Sequence, residues 1–270
     1  MTSKTLLARP EEQLPLSLSV SKVKTFKDCK AKYRFCYIEK LPRKDWEFLI
    51  FGKFLHEILE NHYRKILAGS VEPSNVILTA SWKEAFANWK PKLTSAQISE
   101  AKEICSLFLQ WLAANPNQPT VLGVEKEFYI DIDGKILLNG FIDKIQLDPD
   151  GVLHVSDYKT TKNKKYLKND YFQLLTYAFV MCLEDPSIKK VRTSYILLRH
   201  GFESIVKEFD LKEIMSIEKT FLDYADKIHD EKLFRPNPTF LCSFCDFLDI
   251  CDSGLKIVGR ESSKYGTDSW

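Results

Sequence analysis

The chain has 270 residues, 44% of them hydrophobic, and its 18 Phe, 11 Tyr and 5 Trp exclude general disorder and allow a sizeable buried core. The 39 Lys and Arg against 37 Asp and Glu leave a formal charge of +2, so totals alone do not mark a nucleic-acid binder. Seven cysteines are an odd number, which argues against a fully paired disulfide framework.

Residues 1–18 read as a loose tail without an apolar targeting region. No apolar run reaches the ~20 residues a membrane span needs. The expectation is a soluble, cytoplasmic protein whose thiols stay reduced and open to metals. From Ser19, a plausible N-cap, apolar residues Val20, Val23, Phe26, Tyr33, Tyr37 and Leu41 recur at near-helical spacing until Pro42. Helical patterns follow at 52–67, 76–89 and 95–114. The period then changes to two, predicting strands at 121–131, 136–147 and 152–159, with turns at Asp133-Gly134 and Asp148-Pro149-Asp150-Gly151. A helix at 167–183, strands at 191–198 and 205–209, and a helix at 211–230 complete the pattern, before a Cys-rich tail. We expect a single α/β domain: an N-terminal helical insertion (19–120), a core (121–210), and a C-terminal helix with the cysteine segment (211–270).

Three features of the core fit one another. Gly140-Phe141-Ile142-Asp143 delivers a carboxylate on a strand. Asp157-Tyr158-Lys159 places a carboxylate and an ammonium two residues apart, on one strand face. Gln173 and Tyr177, one turn apart, share a helix face. Singly, each is common on ordinary surfaces. A strict two-residue turn would pair Asp143 with Ser156, so the two aspartates share a face only if a bulge shifts the register by one. Carboxylates with a lysine suit phosphodiester hydrolysis, because hard oxygen ligands hold Mg²⁺ or Mn²⁺ and the ammonium offsets transition-state charge. His56, on the second helix, is a candidate further ligand that would favour Mn²⁺. Glu60 could orient its ring, and Glu125 or Glu127 are weaker supporting candidates.

Cys242-Ser243-Phe244-Cys245 followed by Cys251 is a C-x₂-C-x₅-C cluster that points to a metal. Cys29 or Cys36 could supply a fourth thiolate, for an iron–sulfur cluster or Zn²⁺. Cys105 and Cys182 read as core residues.

Together these residues resemble the RecB-like branch of the PD-(D/E)XK nucleases. The resemblance is strongest to its iron–sulfur members, such as the CRISPR-associated exonucleases and the nuclease domain of AddB, and it spans residues 19 to 251. It implies a restriction-endonuclease-like core of a mixed sheet flanked by helices. In that pattern Gly52 to His56 matches G-x-x-x-H with His56 a metal ligand, and Gly140 to Asp143 matches G-x-(I/V)-D. Asp157 and Lys159 match D/E-x-K, with the Tyr158 carbonyl as a further metal ligand. Gln173 and Tyr177 match Q-x-x-x-Y, whose residues help position DNA and catalytic groups. The opening segment favours Cys29 over Cys36, joining Cys242, Cys245 and Cys251 around a 4Fe–4S cluster that staples the two ends of the chain.

The first 44 residues hold eleven basic and four acidic residues, a net +7, and Lys159, Lys162, Lys164, Lys165 and Lys168 form a second basic run. Both suit backbone contacts to DNA, and Tyr166 and Tyr171 are placed to stack unpaired bases. The expected partner is DNA, single strands favoured. The expected activity is a metal-dependent exonuclease, and the alternative is a non-catalytic DNA-binding or assembly subunit. No P-loop motif is present, so the chain is expected to act as a free nuclease, or with a separate helicase or a recombination or CRISPR protein.

Overall fold

Strand β3 (Ile136–Leu147) organises the sheet. The computed structural model describes residues 15–167 and 170–264. Antiparallel to β3 along its whole length runs β2 (Thr120–Ile132), joined to it by a turn in which Asp133 and Gly134 both have positive φ, 54° and 66°. The opposite edge of β3 is shared. The short strand β1 (Leu16–Leu18) pairs with it in parallel at residues 136–138, and β4 (Leu153–Lys159) pairs antiparallel at 144–147. Between them, residues 139–143 have no strand on that edge among the described residues. Strand β5 (Lys190–Leu197) lies parallel to β4, and β6 (Glu203–Asp210) closes the sheet antiparallel to β5.

Helices cover both faces. On one side α3 (Glu47–Leu67), α4 (Ser74–Trp89) and α5 (Ser95–Ala114) enclose a core with Phe51, Phe54, Leu55 and Phe108 against Tyr158 and Ile196. On the other, α6 (Phe172–Glu184) and α7 (Leu211–Asp230) join α1 (Val20–Asp28) around Ile142, Val155, Leu174, Tyr195 and Phe221. Here α6 is the crossover between parallel strands β4 and β5. Ser19 caps α1 as expected, accepting from the Lys22 N–H, and α5 and α7 begin with the capping boxes Thr94/Gln97 and Asp210/Glu213.

Three sequence expectations are corrected. Residues 16–18, read as loose tail, are strand β1; three residues are too few for a visible period, and their partner lies far along the chain. The helical segment from Ser19 is interrupted at Cys29, which is extended (φ −158°, ψ 111°); α2 (Lys30–Tyr33) and a wider turn at Arg34–Ile38 follow. The carbonyl of Asp28 exposed by this break accepts from Asn237 Nδ2 at 3.0 Å, so a tertiary contact satisfies it. The C-terminal tail carries a further helix, α8 (Asp252–Lys264).

The hairpin register bears directly on the site. Gly151 adopts φ 78°, and the Asp148 N–H donates to the Val152 carbonyl, so three residues, 149–151, form the loop. The ladder therefore runs Leu147↔Leu153 to Lys144↔Ser156, one residue from the strict two-residue reading. Extended one step, it brings Asp143 beside Asp157.

Gly140 has a packing role. It pairs with Phe128, and a Cβ there would come within 2.8 Å of Phe128 Cζ. The missing side chain lets that buried ring lie across β3, edge-on to Tyr177 at 6.4 Å between centroids. Replacing Gly140 with Ala is expected to destabilise the fold by about 1–3 kcal/mol, read as a lower urea midpoint. An unchanged midpoint would contradict this packing.

Candidate active site and cysteine pocket

Strand alternation puts Asp157 and Lys159 on one face of β4, and the one-turn spacing puts Gln173 and Tyr177 on one face of α6. The four form a closed group. Lys159 Nζ lies 2.7 Å from Asp157 Oδ2 and donates to Gln173 Oε1 at 2.9 Å. Gln173 Nε2 donates to Asp157 Oδ1 at 2.6 Å and to Tyr177 Oη at 2.7 Å. The Tyr195 ring lies 5.0 Å from the ammonium.

Asp143 stands where β3 loses its edge partner. Its Oδ2 accepts the Tyr158 N–H at 2.8 Å and lies 3.4 Å from His56 Nδ1. His56 Nε2 is 3.1 Å from the Tyr158 carbonyl, which can only accept. The bond therefore puts the proton on Nε2 and leaves the Nδ1 lone pair facing Asp143. Gly52, one turn before His56, lies against the chain just after Lys159: a Cβ there would be 3.4 Å from Thr160 Oγ1.

The third member of this group is Glu125. One ligand atom each from His56, Glu125 and Asp143 lies within 4.8 Å of the other two. Sequence reasoning ranked Glu125 only as a weak support. The register was the missing signal, since Val124↔Lys144 and Lys126↔Ile142 put Glu125 across from Asp143. Its backbone has φ 44°, a left-handed conformation that costs a non-glycine residue of order 1 kcal/mol or more and that clusters at functional sites. Glu60, expected to orient His56, is instead paired with Arg64 at 2.7 Å.

The electrostatics describe a site short of positive charge. Burial, and then the nearby Glu60, push the Glu125 carboxyl up to about 7, with Asp157 adding to the effect against Arg64. Burial, and then Asp157, push Asp143 well above the usual carboxylate range despite the Tyr158 N–H. Burial lowers the His56 imidazole, favouring the neutral form that ligates metals. Asp157 Oδ2 is buried with no hydrogen-bond partner, because its approach to Lys159 is not aligned for one. Clustered carboxylates, a neutral imidazole and an unmatched buried oxygen fit a divalent cation.

A second group lies at the chain's other end. Cys29, Cys242, Cys245 and Cys251 line one pocket, together with Pro236 and Pro238. Backbone N–H groups of Asn237 and Thr239 donate to the Cys29 and Cys242 sulfurs at 3.5 and 3.4 Å. Gly254 lets α8 approach closely, since a Cβ there would be 3.6 Å from Cys251 Sγ and 3.2 Å from Leu248 Cδ1. Cys36 does not line this pocket and packs in a small core with Phe35 and Phe247. Cys105 and Cys182 sit among apolar side chains as expected, and burial pushes Cys105 up to about 12.

The expected basic path is only partly free. Lys24, Lys30, Lys44 and Lys164 are paired with Asp170, Glu231, Asp249 and Glu203. Tyr171 packs at the edge of the core against Phe209, so it is no open stacking surface. The Tyr166 side chain and Lys168 lie outside the described residues.

Residues 17–252 match the PD-(D/E)XK nuclease superfamily, and the chain belongs to that superfamily. Among its relatives is an ATP-dependent helicase/deoxyribonuclease subunit of Streptococcus agalactiae, 28% identical over 187 residues, covering 66% of this chain and 17% of the relative. The protein of the same name from Streptococcus pyogenes is 26% identical over 243 residues, with 78% and 22% covered. The chain thus spans about a fifth of the length of these curated relatives. A solved structure named "Putative exonuclease" from Eubacterium rectale shares the fold, with TM-score 0.51 and 11% identity over 89% of this chain and 87% of that one. Among the described residues no helix is long and apolar enough to cross a membrane.

A cation at this site must displace the protons that the raised carboxyls hold, so its affinity should climb with pH, the part carried by Glu125 being complete above about 7. Calorimetric titration of metal-stripped protein with Mn²⁺ is expected to show affinity falling roughly tenfold or more per pH unit below that point. Glu125→Gln should lessen this dependence, leaving the part that Asp143 carries. An affinity independent of pH would contradict the assignment.

Proposed function

We propose that this chain is a metal-dependent DNA exonuclease that hydrolyses phosphodiester bonds, with single strands and DNA ends as its favoured substrates. Recombination, repair, phage DNA processing and CRISPR adaptation are the settings that suit such an activity. The observation that carries the reading is the Lys159 ammonium, held between Asp157 and Gln173 beside the trio of His56, Glu125 and Asp143.

Those three residues, with Asp157 and the Tyr158 carbonyl, would hold Mg²⁺ or Mn²⁺. Such an ion would polarise the phosphate and lower the pKa of an attacking water. The protein's own groups divide the remaining work. One N–H donor of Lys159 goes to Gln173 while the ammonium lies against Asp157, leaving donor capacity for the incoming water or a phosphate oxygen. Gln173 bridges Lys159, Asp157 and Tyr177, and so fixes the ammonium in place. Tyr177 is buried, and its hydroxyl closes that network.

Cys29, Cys242, Cys245 and Cys251 are the ligands we propose for a structural 4Fe–4S cluster, with Zn²⁺ as the alternative. The relatives named as helicase/deoxyribonuclease subunits suggest DNA as substrate and a helicase as working partner.

End-labelled single- and double-stranded DNA should be digested by the wild type only with Mg²⁺ or Mn²⁺, and Asp143→Ala and Lys159→Ala should each cut the rate by about 10² or more. Wild-type protein as inert as both variants, with metal bound, would leave the non-catalytic DNA-binding subunit as the reading. Purified protein should carry about four iron atoms per chain, and Cys251→Ala should lose them; one zinc and no iron would contradict the cluster.

A further inference from the structure

Next to the metal trio, the β2–β3 ribbon turns two aromatic rings to solvent. Along this ribbon Phe128, Ile132, Ile136 and Leu138 face the core, so residues 127, 129, 139 and 141 face outward. Glu127 pairs with Phe141 and Tyr129 with Asn139, which makes Phe141 and Tyr129 diagonal neighbours on the outer face. Phe141 is 50% exposed and Tyr129 60%, and neither ring packs against another ring among the described residues. Tyr129 is held in place by its hydroxyl, which donates to Glu127 Oε1 at 2.5 Å. Phe141 precedes Asp143 by two residues, so their Cα atoms are within about 7 Å. That is close to the length of one extended nucleotide.

Two cations continue the same face. Asn139 Nδ2 donates to Ser17 Oγ at 2.9 Å, and that oxygen also accepts from Lys22 Nζ at 2.9 Å. Lys22 lies 5.7 Å from the centre of the Tyr37 ring, and the Arg43 guanidinium lies 5.0 Å from it. Unlike Lys24, Lys30 and Lys44, neither Lys22 nor Arg43 makes an ion pair among the described residues. Exposed aromatic faces followed by cations outside ion pairs are the two elements that single-stranded DNA contacts, through its bases and its phosphates.

We propose that Phe141 and Tyr129 form a platform on which the unpaired bases of a DNA strand stack beside the scissile phosphate, with Lys22 and Arg43 receiving the phosphates beyond it. The proposal rests on the nuclease reading of the site and adds the source of its preference for single strands. In a duplex the base faces are already stacked on their neighbours, so the platform has nothing to receive.

The test uses the full chain and a single-stranded oligonucleotide carrying 2-aminopurine one nucleotide from the labelled end, beside a matched duplex. With wild type, aminopurine fluorescence should be quenched on binding in chelator, where the strand is not cut. Phe141→Ala and Tyr129→Ala should each lose much of the quenching and raise the single-strand KM about tenfold, leaving kcat and the duplex KM unchanged. Phe141→Trp should restore both. Lys22→Ala should lower the salt dependence of binding by about one unit of slope while leaving the quenching intact. Equal quenching by wild type and Phe141→Ala would overturn the platform. A fall in kcat at unchanged KM would also overturn it, since Phe141 would then only support Asp143. Wild-type quenching that depends on Phe141, in a protein that cleaves neither substrate, would uphold the platform and remove the nuclease reading instead.

Discussion

The site depends on one hydrogen bond, from the Tyr158 N–H to the Asp143 carboxylate. In an uninterrupted ladder that N–H would serve the backbone of β3. Here the pairing with β4 stops at Lys144↔Ser156, and a side chain takes the donor one step later. The two strands therefore stay tied together while the edge of β3 from 139 to 143 is left open. His56 reaches Asp143 and the Tyr158 carbonyl from α3, and Asp157 lies on the adjacent strand. The alternation of core residues also slips at this point, since Ile142 and Ile145, an odd number of residues apart, both join the same core.

Charge imbalance follows from that geometry. Asp143, Glu125 and Asp157 are gathered in a largely buried region, and the cations nearby do not match them. Lys159 lies against Asp157, and Arg64 is paired with Glu60. The result is carboxyls driven upward and a buried oxygen of Asp157 with no hydrogen bond. Such an arrangement costs stability in the protein alone, and a divalent cation would recover it. The left-handed backbone at Glu125 is consistent with strain maintained for the same purpose.

Much of this was legible in the residues themselves. Alternation located β2 to β5, and the i, i+2 and i, i+4 spacings grouped Asp157 with Lys159 and Gln173 with Tyr177. The positions that escaped depend on long-range pairing. Glu125 could not be separated from Glu127 without the β2–β3 register, in which a bulge between Val121 and Gly123 resets the pairing. The three-residue loop around Gly151 was likewise needed to bring Asp143 level with Asp157. Strand β1 is too short to carry a period, and the break at Cys29 is stabilised by Asn237, more than 200 residues away. Charge counts overstated the basic surface, because composition does not reveal which lysines are already paired.

The most direct test of the account is the position of a bound metal. Crystals soaked in Mn²⁺ and measured for anomalous scattering should show an ion within about 2.0–2.5 Å of ligand atoms from His56, Glu125 and Asp143, with an Asp157 oxygen completing the protein ligands. An ion bound elsewhere at saturating Mn²⁺, or none between these side chains, would contradict it.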